Sequence, residues 1–108
     1  MGWWLVNRGE VWWARTATGR RPFLILSRQA VIPVLNKVVA VPATTQVRGA
    51  PSELDLDEDD GMPSACVLAF DNIETIPKAR FVSRICTLGD ERLAEACRTL
   101  ARATGCRD

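Results

Sequence analysis

Three short polar clusters each stand at the end of an apolar run: Arg20 and Arg21 before Pro22, Thr44 and Thr45 after Pro42, and Asp71 and Asn72 after the run that begins at Cys66. The chain has no histidine, so no imidazole is available as acid, base or ligand, and a Ser-His-Asp or Cys-His nucleophile is excluded. Neither a P-loop nor a GxGxxG fingerprint occurs. What the clusters contain is guanidinium, hydroxyl and carboxylate. That set suffices for cutting RNA through its own 2′-OH. The nucleophile then belongs to the substrate, and the protein has only to position it, accept a proton and stabilise the crowded phosphate.

Metal chemistry finds little support. Cys66, Cys86, Cys97 and Cys106 form no CxxC pair, and a structural zinc site without such a pair or a histidine is not expected. In a reducing compartment they read as buried small thiols. Asp55, Asp57 and Asp59 have the 1, 3, 5 spacing of an EF-hand loop, but its sixth position is Asp60 instead of glycine and its twelfth is Cys66 instead of glutamate. A solvated acidic loop is the better reading, and no metal or cofactor is expected.

The elements that must carry the three clusters are mostly strands. Glu10 to Arg15 is rich in aromatic and branched residues and predicts the first; Thr16 to Arg20 has turn composition. Pro22 then leads into Phe23 to Ser27, a continuous apolar run that implies burial on both faces. Within Trp12-Trp13 one ring points to each face, one into the core and the other free to stack on a base. Gln29 to Asn36 reads as a loop with one turn at most, because Pro33 interrupts it. Lys37 to Val41 predicts a strand that ends, or bulges, at Pro42. Ser52 to Asp57 alternates as a half-exposed edge strand does, and Glu58 to Ser64 reads as a turn. Cys66 to Phe70 predicts another buried strand, and Phe81 to Leu88 a last one. From Asp90 the period changes, with Leu93, Ala96, Cys97, Leu100 and Ala101 three and four apart and Gly105 beyond, predicting one helix over about 90 to 104.

Short strands followed by one helix predict a mainly β fold, a small, strongly bent sheet or barrel with a helix on its side. At 108 residues the whole chain, 1–108, is expected to form a single domain. No apolar run approaches the roughly 20 residues of a spanning helix and no export signal is evident, so a cytoplasmic location is expected. Net charge is +1, but six of the 13 acids lie between Glu53 and Asp60, and without them the remainder carries +7. A basic face able to attract phosphate is consistent with that distribution.

The ordered motifs RGEVWWA, RRPFLILS, VVAVPATTQVRG and CVLAFDNIETI, followed by a C-terminal helix, resemble the MazF/PemK/Kid toxins of bacterial toxin–antitoxin modules. The resemblance runs from Arg8 to about Thr104. It implies an SH3-like small barrel of the CcdB/MazF type and a homodimer neutralised by a cognate MazE-like antitoxin. The activity implied is that of a metal-independent endoribonuclease toxin that cuts single-stranded RNA at a short sequence. Products would carry a 2′,3′-cyclic phosphate and a 5′-OH, and growth would be inhibited through loss of translation. Carried over residue by residue, the family's catalytic arginine falls on Arg21, which would stabilise the phosphate and assist proton delivery to the leaving oxygen. Its catalytic threonine falls on Thr44, and the carboxylate taken as general base in the Kid-like branch falls on Asp71. Arg20, Thr45, Gln46, Arg48, Asn72 and Trp13 are the candidates for touching RNA.

Two features depart from the family. Ala69 stands where the Kid-like branch has an arginine, which leaves Arg21 as the main cation, and the loop from Arg15 to Arg20 is short. Two other classes remain open: a non-catalytic binding toxin on the same barrel, as in the CcdB toxins that act on DNA gyrase, and a diverged member that keeps only antitoxin binding. Arg21 together with Thr44 favours the ribonuclease.

Overall fold

The computed structural model describes residues 5–106; Trp3 and Trp4, for which the sequence suggests a surface role near the terminus, lie outside them. Strands β1 (Glu10–Thr16), β2 (Gly19–Ile25), β3 (Lys37–Thr44), β4 (Glu53–Leu56), β5 (Cys66–Ala69), β6 (Glu74–Pro77) and β7 (Phe81–Thr87) precede helix α1 (Asp90–Thr104). They form one antiparallel sheet in the order β4-β5-β3-β2-β1-β7, with β6 also beside β3. The mainly β architecture with one C-terminal helix is the one the sequence predicts.

Successive side chains of a strand point to opposite faces, and here both faces of the central strands are covered. Val11, Leu24, Leu26, Val41 and Ala43 join one buried cluster with Leu54, Leu56, Leu68 and Phe70, over which α1 lays Leu93, Ala96, Leu100 and Ala103. Trp12, Ala14, Phe23, Ile25, Val38 and Ala40 face the other way, into a second cluster with Ile32, Ile76 and Phe81. The rings of Trp12 and Phe81 meet edge to face at 6.4 Å. This double burial is why β2 and β3 read as unbroken apolar runs.

The boundaries differ from the sequence expectation at both prolines. β2 starts at Gly19 and ends at Ile25, because the turn is only Ala17-Thr18, with Gly19 at φ +126°; Pro22 lies inside the strand opposite Trp13. β3 continues through Pro42 to Thr44. Leu26 N–H donates to Val39 O at 2.9 Å, and alternation from that pair turns the Pro42 nitrogen away from β2. On that side β6 ends at the Ala40–Glu74 pair and β5 begins at Ala43–Leu68, so the missing N–H falls in the gap between two partners. β6 itself is absent from the sequence reading: only Ile76 among its four residues is buried, and Pro77 argues against a strand. Cys66 alone of the four cysteines is buried; Cys86 and Cys97 are half-buried and Cys106, beyond the helix, is exposed, which corrects the expectation of four buried thiols.

The helix grips the acidic segment at two points. Arg102 Nε donates to Pro51 O at 3.2 Å, and Arg92 bonds Asp60 at 2.9 Å and the Asp55 carbonyl. Asp57 and Asp60 form a reciprocal cap around a short 3-10 turn, with Gly61 closing it at φ +97°. Burial pushes the Asp60 carboxyl up, but the Arg92 hydrogen bond, the Asp57 N–H and the Arg92 charge outweigh it and hold the group below the usual carboxylate range. A depressed folded value means that the native state binds fewer protons than the unfolded chain. The contribution is therefore complete above the unfolded carboxylate value, about 3.9, and is lost as pH falls through the folded one. Asp60→Asn is accordingly expected to lower the thermal midpoint at pH 6, with the difference from the parent shrinking at pH 3; calorimetry at the two pH values checks it.

Candidate active site

A cleft of about 160 Å³ opens where β3 leaves β2 and passes to β5. Pro42 and Ala69 line its floor, and Arg21, Thr44, Gln46, Arg48, Ser52, Glu53, Asp71 and Asn72 surround it with polar groups. Three different elements supply the key side chains. Arg21 projects from the outer half of β2, opposite Ala14, just beyond the last β2–β3 pair. Thr44 is the final residue of β3, paired with Val67. Asp71 sits in a 3-10 turn, Phe70–Asn72, that follows β5 and is anchored by the buried ring of Phe70.

Arg21 is exposed and makes no ion pair with any described residue, so its charge is available to a ligand. Thr44 Oγ1 accepts the Gln46 N–H at 3.1 Å, which fixes the hydroxyl oxygen and leaves its proton to donate. Asp71 Oδ2 accepts from the Ser52 hydroxyl, while Oδ1 has no partner among the described residues. Glu53 points back at the loop after β3: Gly49 N–H donates to it at 2.9 Å, with Arg48 N–H at 3.2 Å and Ala50 N–H at 3.3 Å. One carboxylate thus gathers three successive amides and sets the path of the segment that carries Gln46 and Arg48.

Of the residues singled out from sequence, Arg21, Thr44, Asp71, Gln46, Arg48 and Asn72 come together in the cleft. Arg20, Trp13 and Thr45 do not line it. Arg20 lies on the opposite pleat from Arg21 and places its guanidinium 5.3 Å from the centre of the Trp13 ring, a cation–π pair on the β1–β2 hairpin. Thr45 is exposed just past β3. Ser52 and Glu53 belong to the site but are not evident from sequence. The missed signal is parity: Ser52, immediately before β4, is buried as Leu54 and Leu56 are at alternate positions after it, so a serine in that register needs an acceptor.

An antiparallel β sheet with one C-terminal helix is the architecture of the small toxins with the CcdB/MazF-type fold. Residues 7–104 match the family described as PemK-like, MazF-like toxin of type II toxin–antitoxin system, and the chain belongs to that family. It is 46% identical over 102 residues to the probable endoribonuclease MazF2 of Mycobacterium tuberculosis, covering 94% of this chain and 100% of that protein. It is 40% identical over 104 residues to the probable endoribonuclease MazF5 of the same organism, covering 94% and 95%. Among solved structures, Mycobacterium tuberculosis toxin MazF-mt6 superposes with a TM-score of 0.84 at 29% identity, covering 92% of this chain and 99% of that one. An endoribonuclease in complex with its cognate antitoxin from a mycobacterial species gives 0.84 at 27% identity, covering 95% and 98%.

Proposed function

We propose that this protein is a sequence-specific endoribonuclease toxin that cuts single-stranded RNA without a metal and is neutralised by its own antitoxin. The reading rests on the convergence of Arg21, Thr44 and Asp71 from three elements on one cleft. It is supported by relatives named as endoribonucleases and by the antitoxin complex of one structural neighbour. The 2′-OH adjacent to the scissile phosphate loses its proton to Asp71 Oδ1 as its oxygen attacks phosphorus. The bond from phosphorus to O5′ breaks, the leaving O5′ takes up a proton from solvent to become the 5′-OH, and the other fragment keeps a 2′,3′-cyclic phosphate. Arg21 faces the two non-bridging oxygens, where charge accumulates on the way to the transition state, and steadies the leaving oxygen with an N–H. Thr44 donates to a phosphate oxygen and fixes the line of attack. With Ala69 where the Kid-like branch has a second cation, the charge of Arg21 carries most of this stabilisation, with Arg48 at the rim.

Gln46, Arg48 and Asn72 border the cleft and are placed to meet the nucleotides that flank the cut. The Trp13–Arg20 pair lies outside it and offers a flat, cationic surface for a base further along the strand. The whole chain acts as a single toxin domain, as a homodimer in the cytoplasm; among the described residues no helix is long and apolar enough to cross a membrane. A purely binding toxin of the gyrase-directed kind would not need a guanidinium, a hydroxyl and a carboxylate around one phosphate-sized cleft. The test is incubation of purified protein with long RNA in excess EDTA. Cutting at an undiminished rate, at recurring short sequences and with 5′-OH ends, is expected. A requirement for added divalent metal would overturn the mechanism.

A further inference from the structure

We infer that Ser52 is the positioning residue for Asp71: it holds one carboxylate oxygen so that the other is presented to the 2′-OH. The inference rests on the ribonuclease reading and extends it to a residue that has no charge and does not itself touch the reacting atoms. Ser52 is 8% exposed, an unusual environment for a serine beside an open cleft. Its hydroxyl has one described partner, Asp71 Oδ2, to which it donates. Its backbone acts on the same turn, because Phe70 N–H donates to Ser52 O at 3.0 Å. Ser52 therefore binds the Phe70–Asn72 turn twice, once through the main chain at its first residue and once through the side chain of its second.

The residue is itself held on both sides. Pro51 O accepts from Arg102 of α1 at 3.2 Å, and Glu53 pairs with Ala69 across β4 and β5 while its carboxylate is occupied by the amides of residues 48 to 50. Asp71 has no such support. It is exposed, lies in a single 3-10 turn, and its carboxylate has no other protein donor among the described residues. Without the serine hydroxyl the carboxylate turns freely among rotamers, and only a fraction of them present an oxygen to the cleft. A hydroxyl donor on Oδ2 also limits rotation of the carboxylate, while Oδ1, with no donor among the described residues, keeps its lone pairs free to accept. Such an effect belongs to the chemical step, since substrate is held by Arg21, Thr44 and the rim.

Steady-state cutting of a short fluorogenic RNA carrying a mapped site, in EDTA, tests this with a matched set of variants. Ser52→Ala is expected to lower kcat about tenfold, the scale of losing one hydrogen bond to a charged group, with KM changed by less than about twofold. Ser52→Thr, which keeps the hydroxyl, should stay within about threefold of the parent, and Ser52→Val, of the same size without it, should reproduce the alanine loss. Native kcat in the alanine or valine variant, or a threonine variant as impaired as valine, would overturn the inference. So would an Asp71→Asn variant with full kcat, since Ser52 acts only through that carboxylate. A parent protein that leaves the RNA intact would instead overturn the ribonuclease reading itself.

Discussion

Arg21→Ala is expected to abolish RNA cutting, by about a thousandfold or more in kcat, while moving the thermal midpoint by no more than about 2 °C. The two halves of that expectation come from the same observation. Arg21 is exposed, on the part of β2 that has run past β3, and has no ion pair with any described residue. Removing it therefore disturbs neither core cluster, and a surface change of this kind alters stability by no more than about 0.5 kcal/mol. In the proposed mechanism, however, its charge is the main cation beside the phosphate, because position 69 is alanine. Arg21→Lys should recover only part of the loss, since an ammonium cannot span two phosphate oxygens with the fixed fork of a guanidinium. The measurement is single-turnover cutting of a labelled RNA alongside a thermal melt of the same preparation.

Phe70→Ala is expected to have the largest effect on stability and to weaken cutting as well. Phe70 is 1% exposed, lies in the cluster covered by α1, and belongs to the turn that carries Asp71. Truncating a buried phenylalanine to alanine costs about 3–5 kcal/mol, from lost burial together with the cavity left behind. For a chain of this size that lowers the thermal midpoint by roughly 12 °C or more. Phe70→Leu retains most of the volume and should lose only about 1 kcal/mol. A midpoint for Phe70→Ala within a few degrees of the parent would mean that the turn does not depend on this anchor.

The core elements were legible because burial leaves its mark on sequence: in Val11 to Ala14, Phe23 to Leu26 and Val38 to Val41 every residue but half-buried Trp13 and exposed Val39 is in the core. The helix was legible for the complementary reason, one buried stripe, although the stripe runs through Thr99 and Ala103 as well as Leu93, Ala96 and Leu100. The strand ends around the cleft were harder. Pro22 and Pro42 suggest termini, yet Pro22 lies inside β2 just past the last β2–β3 pair, and Pro42 lies in the gap between the β6 and β5 pairings of β3. β6 presents a single buried side chain and leaves almost no pattern. The motif resemblance supplied Arg21, Thr44 and Asp71. It could not supply Ser52 or Glu53, whose parts are played by hydrogen bonds between residues 19 apart, Ser52 to Asp71, and three to five apart, Glu53 to the amides of residues 48 to 50. Trp13 and Arg20 were attractive by residue type, but the pleat sends them to the hairpin and away from the cleft.

In the proposed mechanism the substrate supplies the nucleophile, and the cleft positions it, accepts its proton and stabilises the phosphate. A single 2′-deoxynucleotide placed on the 5′ side of a mapped cleavage position, in an otherwise unmodified RNA, tests that most directly in excess EDTA. The parent RNA is expected to be cut to a 2′,3′-cyclic phosphate and a 5′-OH, and the substituted RNA to stay intact at that position. Cutting of the substituted RNA at that same bond would rule out attack by the neighbouring 2′-OH.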